Sequence, residues 1–78
     1  MGKPNGFDKQ AFCQRLRFFR ESRGFSQKEM ADALLVERST YTSYETGRAL
    51  PSLGMLKALT EKLQVSADAL LGIQPPLP

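Results

Sequence analysis

The sequence predicts an all-α fold, a compact bundle of five short helices. Three observations carry that reading. Apolar residues recur at helical spacing. A Ser or Asp precedes most of these segments and a Gly follows several of them, as cap and stop signals require. No stretch shows the two-residue alternation of a half-buried strand.

Residues 1–7 are rich in Gly, Pro and Asn without any period, and are expected to form a flexible N-terminal arm. Asp8 is placed to cap a first helix running to about Arg23, with Phe12, Leu16 and Phe19 stacked on one face. Gly24 follows the basic end of that helix. Ser26 and Glu29 then make a Ser-x-x-Glu capping box for a second helix reaching about Leu34, with Met30, Ala31 and Leu34 turned inward. A third helix fits Arg38 to Thr46, closed by Gly47. On a wheel of about 100° per residue, Thr40, Tyr41 and Tyr44 gather on one side, and Arg38, Ser39, Thr42, Ser43 and Thr46 on the other.

Pro51-Ser52 opens a fourth helix to about Leu63, with Leu53, Leu56, Leu59 and Leu63 expected inward. Ser66 starts a short fifth helix, Ala67–Leu71, stopped by Gly72. Residues 8–72 therefore read as one domain. Residues 73–78, ending Gln74-Pro75-Pro76-Leu77-Pro78, read as an extended Pro-rich tail, because proline removes helical donors.

Composition narrows the function classes. A domain of this size buries only about 60% of the surface its unfolded chain exposes, so its margin of stability is thin. The 78 residues hold one cysteine, Cys13, and no histidine, so neither an internal disulfide nor a zinc site of nitrogen and sulfur ligands is expected. No metal or other cofactor is implied, and a reducing, cytoplasmic location suits the single thiol. Nothing approaches the roughly 18 apolar residues that span a bilayer, and no signal-peptide or myristoylation pattern opens the sequence. Eleven Lys/Arg against eight Asp/Glu give a net charge of +3, which suits a polyanionic partner without proving one. No serine or cysteine has a credible catalytic base nearby in pattern, and no glycine-rich phosphate loop occurs, so enzyme function is not expected.

The informative block lies between Ser26 and Gly47, where two short amphipathic helices are joined by a three- or four-residue turn. A helix that reads a DNA groove must be braced from behind by apolar packing. Its free face must offer short polar groups and at least one long donor to base edges. The third helix has two tyrosines behind and Arg38, Ser39, Thr42 and Ser43 in front. A polar outer face alone is what any surface helix shows; the flanking residues add weight. Gln27 occupies the first position after the Ser26 cap, where a helix favours anions and a side-chain amide can donate to a phosphate. Ala31 is small where the two helices cross. Gly47-Arg48 returns backbone N–H groups and a guanidinium toward the same side.

Nearly the whole chain, residues 12–72, resembles the helix-turn-helix domain of the phage-repressor/Cro family. The shared pattern runs Leu16-x-x-Phe19-Arg20, Gly24-Phe25-Ser26-Gln27-x-x-Met30-Ala31-x-x-Leu34 and Tyr44-Glu45-x-Gly47. It continues through Pro51-Ser52-Leu53-x-x-Leu56-x-x-Leu59, Val65-Ser66 and Leu70-Leu71-Gly72. The resemblance implies a five-helix domain of the repressor/Cro-like type, in which the third helix reads base edges through Arg38, Ser39 and Ser43, with Thr42 as an addition. It implies phosphate contacts from Gln27, Thr46 and Arg48; the neighbouring Lys28 is expected to join them. It also implies a partly buried ion pair between Arg20 and Glu45, tying the first helix to the back of the third.

Two positions depart from the family pattern. The inter-helix turn usually carries glycine because a left-handed backbone is wanted there; this chain has Leu35. A leucine in that conformation costs roughly 1–2 kcal/mol, so either the strain is tolerated or the turn is built differently. The third helix usually begins with a Ser/Thr cap, whereas Glu37 stands here. Its charge suits the helix dipole but opposes a nearby phosphate. Glu37 either turns outward or pairs with Arg38, or it marks weakened operator binding or a protein partner.

Other residues read blandly. Phe18 lies opposite the apolar stripe, as an isolated exposed ring or an interface contact. Cys13 borders the inward face as core filler. Glu29 and Asp32 form a solvated face, and Pro75-x-x-Pro78 fits a frayed end better than a groove-docking motif. The expected function is sequence-specific binding of double-stranded DNA by a bacterial or phage transcriptional regulator, a repressor. It would act as a homodimer on a palindromic operator, with the dimer surface around helix five and Ile73. The rival is an antitoxin-like or adaptor module on the same fold, binding protein through Leu35, Val36 and Phe18.

Overall fold

The computed structural model describes residues 6–73. They form five α-helices and no strand: α1 Lys9–Ser22, α2 Gln27–Leu34, α3 Arg38–Thr46, α4 Leu53–Leu63 and α5 Ala67–Leu71. Four of the five begin at a side-chain cap. Asp8, Ser26, Ser52 and Ser66 each accept a hydrogen bond from the backbone N–H three residues on, and the Ser26–Glu29 capping box closes in both directions. Glu37, before α3, makes no such bond.

Four of the five helix ends follow one rule. At Gly24, Leu35, Gln64 and Gly72 the backbone turns left-handed. The next residue, in order Phe25, Val36, Val65 and Ile73, sends its N–H back five positions, to Arg20, Ala31, Thr60 and Asp68 at 2.9–3.1 Å. This Schellman geometry satisfies a carbonyl that the helix end would leave bare. At three of the four ends the following apolar residue packs against the core. The turn before α3 is thus built with Leu35 in the left-handed region (φ 61°, ψ 38°). The strain is tolerated because two backbone bonds and the seated Val36 hold the turn in place.

The core draws on every helix. Phe12 and Leu16 come from α1, Met30, Ala31 and Leu34 from α2, Tyr41 and Tyr44 from α3, Leu59 and Leu63 from α4, and Leu70 from α5. Fully burying side chains of this kind contributes about 1.5–3 kcal/mol each, and that gain, rather than helix propensity, holds such short helices in place. Arg23 fastens the end of α1 to the end of α4: its Nε donates to the Leu63 carbonyl at 2.7 Å and its Nη2 to Gln64 at 3.2 Å. A cation there also opposes the negative end of the α4 dipole.

Three placements differ from the sequence expectation. Leu53 is 86% exposed and its inward place is taken by Met55, which packs on the core with Leu56. Leu53 sits about 80° of helix rotation from Leu63 and in the first turn, where α4 has not yet reached its neighbours. Thr40, grouped with the tyrosines by the wheel, is exposed at the edge of their stripe. Phe7, assigned to the N-terminal arm, packs against the core with its ring 6.0 Å from that of Phe12. Residues 1–5 of the arm and 74–78 of the tail lie outside the described residues. Among the described residues no helix is long and apolar enough to cross a membrane, and no acidic, cysteine and histidine cluster could hold a metal ion.

Candidate nucleic-acid interface

The geometry of α3 follows from its two faces. Tyr41 is fully buried and Tyr44 nearly so, their rings edge to face at 6.3 Å. That anchoring fixes the rotation of the helix and turns the opposite flank outward. There Arg38, Ser39, Thr42, Ser43, Thr46 and Arg48 line one shallow concavity of about 350 Å³. All four residues expected to face bases, and two of those expected to face phosphates, are therefore brought together.

Their hydrogen-bonding freedom differs. Arg38 is exposed and its guanidinium makes no hydrogen bond or ion pair among the described residues, leaving five donors in a fixed fork. The Ser39 hydroxyl is likewise uncommitted. Ser43 donates to the Thr40 carbonyl at 2.6 Å, and Thr46 to the Ser43 carbonyl at 3.4 Å, so these two keep mainly acceptor lone pairs. Thr42 is half-buried and donates to Gln27 Oε1 at 3.1 Å. Its hydroxyl proton faces its own fold.

Behind this flank lies a polar network. Glu45 accepts from Arg20 Nε at 2.5 Å, Arg20 Nη2 at 3.1 Å, Gln27 Nε2 at 3.0 Å and the Tyr41 hydroxyl. Arg20 completes its set by donating Nη1 to the Phe25 carbonyl at 2.7 Å. The expected Arg20–Glu45 pair is present and shielded, with 9% and 3% of the two side chains exposed. Burial pushes the Glu45 carboxyl up, but donation from Arg20, Tyr41 and Gln27 outweighs it and holds the group below its ordinary value. The hydrogen bond to Glu45 raises Arg20, while burial first and then Glu45 push the Tyr41 hydroxyl well up.

Gln27 stands between network and flank. One Nε2–H goes to Glu45 and its Oε1 receives Thr42, leaving the second Nε2–H for an outside acceptor. Lys28 is not part of the concavity. It is exposed and paired with Asp32 at 3.0 Å, one turn along α2. Glu37 is exposed and forms no ion pair with Arg38. Cys13 is buried, donating to the Tyr44 carbonyl at 3.4 Å, and burial raises its thiol, as fits a packing role.

Sequence reading missed the Tyr41 hydroxyl and the Gln27–Thr42 link. Tyr41 and Glu45 are four apart on one helix, a spacing that places side chains in contact. That signal was available. Gln27 and Thr42 are fifteen residues apart on different helices, and nothing local announces their meeting.

Residues 16–70 match the helix-turn-helix family. A Bacillus subtilis (strain 168) protein, the SPbeta prophage-derived uncharacterized HTH-type transcriptional regulator YonR, is 47% identical over 60 residues, which are 77% of this chain and 56% of that protein. The chain spans about half the length of the curated relatives YonR, YobD and AnsR. Among solved structures, the restriction-modification controller protein C.AhdI from Aeromonas hydrophila is similar with a TM-score of 0.75 and 32% identity, over 81% of this chain and 96% of that one. The biofilm master regulator SinR, solved in complex with DNA, matches at a TM-score of 0.71 and 31% identity, over 77% of this chain and 97% of its own.

Proposed function

This chain belongs to the helix-turn-helix family, and we propose that it is a sequence-specific double-stranded DNA-binding transcriptional regulator that lays α3 in the major groove. The observation that carries the reading is the α3 flank. Six polar residues share one concavity that the molecule's own segments leave open, on a helix whose rotation two buried tyrosines fix. Arg38 supplies the long bidentate donor and Ser39 the free hydroxyl for base edges, with the Ser43 oxygen beside them. Gln27, Thr46 and Arg48 set the register through phosphates, and Lys28 joins them by exchanging its exposed Asp32 partner, since such surface pairs are worth little. Thr42 serves chiefly to hold Gln27.

One such unit offers few base contacts. A homodimer on a palindromic operator, with half-sites about 34–36 Å apart, supplies the rest. The surface around α5 and the exposed Ile73 suits that pairing. On this reading the protein is a cytoplasmic repressor that acts by occupying its operator.

Selection of bound sequences from a random duplex pool tests the reading. The expected outcome is an enriched inverted repeat with centres one helical turn apart. Its affinity should fall with salt at a log–log slope of about −0.9 per phosphate contact. A pool without enrichment, and no salt-dependent binding, would overturn it. The adaptor reading draws on Leu35, 91% exposed at the tip of the turn. Of its other two anchors, Phe18 on α1 is also exposed, at 63%, but Val36 is packed on the core, so the three do not form one free surface and the reading ranks second.

A further inference from the structure

A second groove, of about 430 Å³, runs between α1 and the end of α3 beside the recognition flank. Thr46 lines both, so the two adjoin there. Its α1 wall carries Lys9, Gln10, Gln14 and Arg17, a stripe about 12 Å long at the helical rise of 1.5 Å per residue. Lys9 is exposed and makes no ion pair among the described residues. Its stem lies along Gly47: a Cβ there would sit 3.6 Å from Lys9 Cε and 3.4 Å from Cys13 Sγ. The missing side chain lets the stem pass close to the end of α3, on the side that Thr46 and Arg48 continue.

The acidic groups around the groove do not cancel this character. Glu45 at its floor is already saturated by Arg20, Gln27 and Tyr41. Asp8, just before α1, keeps its charge but caps the helix through the Ala11 N–H and does not line the groove. Glu21 pairs with Arg17 at 3.2 Å, but both side chains are more than half exposed, and an exposed pair of that kind is worth little and exchanges readily. What remains is a row of ammonium, guanidinium and amide donors facing outward. That is the chemistry of a phosphate track, not of a peptide groove.

We propose that the groove between α1 and the end of α3 is a second phosphate-binding track, which grips the sugar-phosphate backbone flanking the bases that α3 reads. The inference rests on the DNA-binding reading of α3. With α3 in the major groove, the surface beside its end meets the wall of that groove, which is backbone. Contacts made there add affinity equally for every sequence.

The test uses the full chain and three variants: the double variant Lys9→Ala/Gln14→Ala, Lys9→Arg, and Lys62→Ala on α4 as a control, since Lys62 is exposed and lines neither groove. Binding to the selected operator and to a random duplex is measured across salt concentrations, with helical content checked in parallel. The double variant should lose roughly 3–10-fold affinity on both duplexes and about one unit of salt slope. Lys9→Arg should keep the wild-type slope, and Lys62→Ala should match wild type. An unchanged double variant, or one that alters base preference, overturns the track while leaving the α3 reading intact. Failure of the wild-type chain to bind any duplex overturns both. If the double variant loses helicity, Lys9→Gln alone decides the matter by its slope.

Discussion

The guanidinium of Arg20 forks onto the carboxylate of Glu45, Nε to Oε2 at 2.5 Å and Nη2 to Oε1 at 3.1 Å, twenty-five residues apart and almost out of solvent. Through Glu45 this pair reaches Tyr41 and Gln27, so a single carboxylate joins α1, α2 and α3. Removing the cation leaves a buried carboxylate facing only neutral donors. Arg20→Ala is therefore expected to destabilise the fold by roughly 3–5 kcal/mol. That is a large share of the stability of a domain this small, about 0.05–0.15 kcal/mol per residue. Chemical denaturation measures it; a loss below about half a kilocalorie would contradict the pairing.

Acid should unfold the protein partly through the same carboxylate. Its folded pKa lies below the ordinary 4.5, so its stabilising contribution is complete above that value. It is lost as pH falls through the lower folded value. In Glu45→Gln the stability–pH curve below about pH 4.5 should flatten relative to wild type. Tyr41 gives the opposite limb. Its raised pKa means stability is full below the ordinary 10 and declines as pH rises above it, a decline that Tyr41→Phe should reduce.

Leu35→Gly should stabilise. The leucine is left-handed and its side chain is solvated, so little packing is lost. Relief of about 1–2 kcal/mol of backbone strain is offset by roughly 0.5–1 kcal/mol of extra chain entropy in the unfolded state. A net gain of about half a kilocalorie or more in denaturation midpoints is expected. A loss would mean that the Leu35 side chain has a contact role.

Glu37→Ser should improve both fold and binding. Glu37 supplies no cap bond to α3, whereas serine there is worth about 1 kcal/mol. If α3 lies in the major groove as proposed, the substitution also removes a negative charge near the duplex, so operator affinity should rise most at low salt. Unchanged affinity across salt concentrations would show that Glu37 faces away from the duplex.

Arg38 and Thr42 should separate by the kind of loss. Arg38→Ala is expected to cost about 1–3 kcal/mol of binding and relax preference at one base pair. Thr42→Val breaks the bond to Gln27 while keeping the shape, and should weaken all sequences alike, about threefold, as a lost positioning bond does. Thr42→Ser should restore binding. Altered preference at a single base pair in Thr42→Val would return Thr42 to base reading.

The five helices, their caps and the two faces of α3 were legible in the residues, because capping and amphipathic spacing are local. The Ser26–Glu29 box and the paired tyrosines each involve residues within a turn or so of one another. Leu53 and Thr40 were misread because a wheel assigns a face without saying how far the neighbouring helices extend. The sequence by itself determined which elements form and which side of α3 is polar. Only the tertiary structure decided that Glu45 gathers donors from three helices and that Thr42 turns toward Gln27. Those contacts depend on how helices cross, and crossing is fixed by the packed core as a whole, not by the spacing within any one segment.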